Sequence, residues 1–61
     1  MNLEQRTLLE NLHTSRNEKW DVELYKQTLV ETFHLSDEEA MSVLKEFANY
    51  QTQKAMAEFR G

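Results

Sequence analysis

The chain contains no cysteine and no proline, and its only glycine is Gly61. Without cysteine there is neither a disulfide staple nor a thiolate ligand for a metal. Such a chain suits a reducing cytoplasm, which is the expected location. Without proline or internal glycine, the tight turns that join β-hairpins lose their usual residues. Isoleucine is also missing and valine is scarce, while Leu, Glu, Gln and Lys dominate, a helix-forming vocabulary. No apolar run approaches the roughly 20 residues of a membrane span. The N-terminus lacks the basic region and apolar stretch of a secretory signal. No internal repeat and no low-complexity segment is present.

What remains is 61 residues, 39% apolar and 30% charged, with a net charge of −4. That is a globular balance, and it predicts one small helical domain over residues 1–61. A chain this short buries a limited core, so contact with a partner or with a second copy of itself is expected to add stability. The negative charge opposes nonspecific binding to phosphate backbones. It is too modest and too interspersed to imitate nucleic acid.

The expected fold is all-α, a small three-helix bundle with a long C-terminal helix. The first helix is predicted over residues 3–13. Asn2 caps it, Gln5 completes a capping box, and Leu8, Leu9 and Leu12 form its stripe, with Leu3 as an addition. The polar segment His13–Lys19 is the longer loop, although Ser15 with Glu18 offers an earlier helix start. The second helix is predicted over 22–33. Asp21 is its cap, Trp20 and Tyr25 form a hydrophobic staple, and Val22, Tyr25, Leu29 and Phe33 form its stripe, widened by Leu24 and Val30. The third is predicted over 37–59, with the full capping box Ser36-x-x-Glu39 and a staple from Leu35 to Ala40. Ala40, Val43, Leu44 and Phe47 share one face. Ala48, Ala55, Met56 and Phe59 lie on another, so the far half of this helix is expected to outrun the bundle.

Three constellations invite a functional reading, and each has a plainer one. Asp37, Glu38 and Glu39 resemble a cation site. Yet calcium wants six or more oxygens on a sharply turning loop, whereas acids in a helix's first turn simply oppose the macrodipole. His13 and His34 stand at predicted helix C-termini, where a cation-capable side chain is favourable. No motif supplies either with further metal ligands, or with a nucleophile and an orienting group. The span Lys26–Leu44 has the outline of a helix-turn-helix. Its second helix would open with Ser36, Asp37, Glu38 and Glu39, which phosphates repel. No catalytic residue, metal or cofactor is therefore assigned, no small-molecule ligand is evident, and no enzyme is expected.

The remaining pattern is a seam. Met41, Leu44, Ala48, Gln51 and Ala55 alternate at spacings of three and four, as in a coiled coil with one polar position. Most aromatics are expected in the core, with Trp20 and Tyr50 at its edge, while Phe59 follows the polar stretch Gln51–Lys54. The predicted protein-binding residues are Met41, Ala48, Tyr50, Ala55, Met56 and Phe59. They imply a small non-enzymatic interaction module, a regulator, adaptor or inhibitor, that contacts another protein or pairs with itself through the third helix. The alternative is a helical nucleic-acid-associated regulator of the bacterial or phage type, acting through Arg6, Arg16, Lys19, Lys45 and Lys54. Those residues are scattered along the sequence, and nucleic acid is the less favoured partner. Size and composition resemble those of small accessory proteins of bacteria and their phages, a likeness of type and not of motif.

Overall fold

A computed structural model describes the backbone of residues 1–60 and the side chains of residues 1–59; Gly61 of the predicted domain lies outside the described residues. Three helices follow in order: α1 (Leu3–Ser15), α2 (Val22–Phe33) and α3 (Asp37–Arg60). No strand occurs among the described residues. The fold is the expected all-α three-helix bundle.

Each helix begins where its capping chemistry places it. At α1 the Asn2 side chain accepts from the Gln5 amide at 2.8 Å, and the Gln5 side chain accepts from the Asn2 amide at 3.1 Å. At α2 the Asp21 carboxylate accepts from the Leu24 amide at 3.1 Å. At α3 the Ser36 hydroxyl accepts from the Glu39 amide, and the Glu39 carboxylate accepts from the Ser36 amide, both at 3.1 Å. Each reciprocal pair satisfies two of the amides that a helix start leaves without partners. Glu39 is thus engaged in a cap. Among the described residues no group of three or more His, Asp or Glu could hold a metal ion.

The core gathers Leu9 from α1, Tyr25 and Leu29 from α2, and Ala40, Val43, Leu44 and Phe47 from α3. Leu8, Leu12, Leu24, Val30, Phe33, Leu35 and Tyr50 pack around it. α2 and α3 form the most extensive contact, and α1 closes against both. The link between α2 and α3 turns sharply because His34 adopts the left-handed conformation, φ 57° and ψ 41°. Glycine normally fills that role, and a residue with a Cβ incurs about 1–2 kcal/mol there. Asn17 and Glu18 take positive φ in the other connection.

The structure departs from expectation at three places. α1 continues to Ser15 instead of ending at His13, with the Ser15 hydroxyl donating to the Leu12 carbonyl at 2.9 Å. Leu3 is exposed, because at about 100° per residue it lies about 120° around α1 from the buried Leu9, whereas Met1 before it packs against the core. Val22 is also about half exposed. It opens α2, and the stripe it belongs to is covered only from Tyr25 onward.

The far half of α3 leaves the bundle, as its length predicts. Every described side chain from Thr52 to Phe59 is exposed. The molecule measures 38 × 20 × 17 Å, and its radius of gyration is 11.7 Å. A compact chain of this length would have a radius near 10.5 Å. No described helix is long and apolar enough to cross a membrane.

Candidate functional site: an apolar groove on the third helix

The first half of α3 has two faces in use. One enters the core through Ala40, Val43 and Phe47. Beside it, Met41, Leu44 and Ala48 form the floor of an apolar groove of about 650 Å³, with Trp20 and Val22 as its wall. Glu38, Ser42 and Lys45 complete its rim. Trp20, Val22 and Met41 are each 44–48% exposed. Three large apolar side chains therefore converge on one surface, with polar groups at the edge, the usual composition of a recognition patch.

Trp20 holds this wall in place by packing on a buried cluster behind it. Its ring lies 4.8 Å from His13 and 5.6 Å from both Tyr25 and Phe47, centre to centre. His13 is almost fully buried. The Tyr25 hydroxyl donates to the Lys19 carbonyl at 2.9 Å. Its single proton is thereby used, so the 2.8 Å contact with His13 Nδ1 requires the imidazole to donate from Nδ1. This chain of donors ties α1, the loop and α2 together directly beneath the groove. Burial pushes the Tyr25 hydroxyl above its ordinary value of 10.0; Arg16 opposes the shift and Asp21 adds to it. His13 stands in the last turn of α1, as its place in the sequence implies, and its burial there has no signature in the sequence. The Trp20–Tyr25 staple was the one visible hint of aromatic clustering.

The six predicted contact residues divide by position. At about 100° per residue, Met41, Ala48, Ala55 and Phe59 fall within about 40° of one another around α3. They lie along one side of α3 from the groove onto the projecting half, with Lys45 and Thr52 between them on the same side. Phe59 is 94% exposed. Met56 is 54% exposed and sits beside this line of residues. Tyr50 lies on the other flank, half-buried, stacked on Phe47 and covered by the Arg6 guanidinium at 5.3 Å. The structure thus joins Met41, Ala48, Ala55 and Phe59 and separates Tyr50 from them. Leu44 joins the groove as a member of the predicted seam, whereas Trp20 and Val22 join it without having been predicted as contact residues, because their role follows from the α2–α3 packing.

The basic residues do not converge. Arg6 pairs with Glu10 at 3.3 Å, and Arg16 pairs with Asp21 at 3.5 Å. Lys45 stands on the groove rim. Lys54 borders a smaller polar recess of about 290 Å³ with His13, Glu18, Gln51, Ala55 and Glu58. Comparison of the chain with known protein families, with curated proteins and with solved structures found no match to any of them.

Proposed function

We propose that this chain is a small non-catalytic protein–protein interaction module, a regulator, adaptor or inhibitor, that works through the free face of α3. The single observation that carries the reading is the alignment of Met41, Ala48, Ala55 and Phe59 along one side of α3, with the groove at one end and an almost fully exposed phenylalanine at the other. Burying apolar surface stabilises by about 25 cal/mol per Å², and aromatic anchors with adjoining pockets dominate most interfaces. A cytoplasmic setting belongs to the same reading, since the chain has no cysteine to stabilise it outside the cell. Membranes, small molecules and cofactors have no part in it.

Photo-crosslinking tests the proposal. A benzophenone side chain is placed at Met41, at Phe59, or at the exposed Asn11 of α1 as a control, in the cells that express the chain. Protein adducts are expected from positions 41 and 59 and not from position 11. Adducts missing from both α3 positions, or equally abundant at the control, overturn the assignment.

A further inference from the structure

We propose that the occupant of the groove is a second copy of this chain, docked antiparallel along α3, with Phe59 of each copy seated in the groove of the other. This rests on the interaction-module reading and names the partner. Phe59 and the groove floor at Leu44 lie 15 residues apart on one continuous helix, or about 22 Å at 1.5 Å per residue. A projecting apolar side chain and an apolar recess on the same rigid rod cannot meet within one molecule. They can meet between two.

The spacing supplies the register. Ala48 and Leu44 are four residues apart, as are Ala55 and Phe59. If Ala48 of one copy faces Ala55 of an antiparallel second copy, Phe59 of the second copy falls level with Leu44 of the first, between Met41 and the Trp20 wall. The same operation seats Phe59 of the first copy in the second groove, so the contact is self-complementary and closed. Its two-fold axis passes between Gln51 and Thr52. Alanine at both facing positions allows close helix approach. The Thr52 hydroxyl is turned back onto the Ala48 carbonyl at 3.0 Å, so it brings no unmet donor to the axis.

Charge selects the antiparallel arrangement. Residues 37–48 hold four acids and one lysine, net −3, whereas residues 49–60 hold two basic residues and one acid, net +1. In the antiparallel register Lys45 of each copy falls level with Glu58 of the other, an opposite-charge pair, and the helix dipoles oppose. Parallel pairing stacks −3 on −3. The accessible surface is 4579 Å², against about 4,200 Å² for a compact chain of this mass. Removing roughly that excess from each copy buries about 800 Å² in total, below the usual 1,200–2,000 Å². The dimer is therefore weak and reversible, which sets the concentrations of the test.

Sedimentation equilibrium from about 5 to about 500 µM reads the linked equilibrium. The wild-type mass should rise from monomer toward dimer. Phe59→Asp should stay monomeric, with an unchanged far-UV spectrum at the lowest concentration. Chains carrying Ala48→Cys mixed with chains carrying Ala55→Cys should crosslink to each other under mild oxidation, at least about tenfold more than either crosslinks to itself; the two Cα atoms must come within about 7 Å for that bond. A monomer throughout the range, a dimer that survives Phe59→Asp, or self-crosslinking equal to that of the mixture overturns the proposal. A strictly monomeric chain whose Met41 and Phe59 crosslinkers still capture a different protein defeats this inference and leaves the interaction-module reading in place. A monomer with no adducts defeats both.

Discussion

The two halves of α3 are one unbroken helix with apolar residues at helical spacing throughout, yet they live in different environments. In the first half Ala40, Val43, Leu44 and Phe47 are buried against α1 and α2. In the second half Ala55, Met56 and Phe59 face outward. The difference lies in the neighbours. α1 and α2 have 13 and 12 residues against the 24 of α3, so they cover only about half its length. An apolar stripe specifies which side of a helix seeks cover, and the lengths of the surrounding elements decide whether the same chain can provide it.

The most severe test of this contrast exchanges one phenylalanine for alanine in each half. Phe47 is fully buried against His13, Trp20 and Tyr50. Phe47→Ala should cost about 3–5 kcal/mol. A 61-residue domain has only about 3–9 kcal/mol in total at roughly 0.05–0.15 kcal/mol per residue, so much of the population should unfold at room temperature. Phe59→Ala should change stability by less than about 0.5 kcal/mol when measured dilute. Urea titration followed by Trp20 fluorescence gives both numbers. Comparable losses would mean that the far half of α3 is packed within the monomer.

A smaller effect is expected at the polar centre of the covered half. Tyr25→Phe leaves the His13 Nδ1–H and the Lys19 carbonyl without their partner and should cost about 1–3 kcal/mol. The pH dependence follows from the raised Tyr25 value. Below pH 10 the hydroxyl is protonated in both states and its contribution is complete. Above it the unfolded chain loses the proton first, so wild-type stability falls as pH rises through the folded-state value. In Tyr25→Phe that alkaline component should vanish. Denaturation midpoints between pH 8 and 11 check it, and an alkaline slope unchanged by the substitution would assign the loss to another group.

The local grammar of the fold was legible because it is written in short-range contacts. Asn2 with Gln5, Asp21, and Ser36 with Glu39 mark three helix starts within the residues that form them. Ala40, Val43, Leu44 and Phe47 announce the main core face by spacing alone. His13 was not legible as a buried residue. Its surroundings come from Trp20, Tyr25 and Phe47, brought in by a loop that reverses through left-handed Asn17 and Glu18. The groove was visible only from its α3 side. Met41 and Ala48 belong to a heptad-like seam, whereas Trp20 and Val22 read as staple and stripe residues. Their partial exposure arises because α2 starts level with the middle of α3. Tyr50 shares the helix with the contact residues but is claimed by Phe47 and Arg6, a competition between faces that spacing does not resolve.

The smallest change in monomer stability, and the most informative about the projecting half, should come from ending the chain at Gln51. This removes no side chain of the buried core. The backbone hydrogen bonds that disappear are on an exposed helix end and are replaced by water. Their net worth is small, so stability at low concentration should stay within about 0.5 kcal/mol of wild type. The melting temperature of the intact chain should nevertheless rise with concentration, because a partner that binds only the folded state stabilises it by mass action. That of the shortened chain should not move, since it has lost Ala55 and Phe59 and with them half of each reciprocal contact. Differential scanning calorimetry at two concentrations about a hundredfold apart distinguishes the cases. A dilute shortened chain that melts well below wild type would show the far half supporting the core from within its own molecule, and the two halves of α3 would then be one structural unit after all.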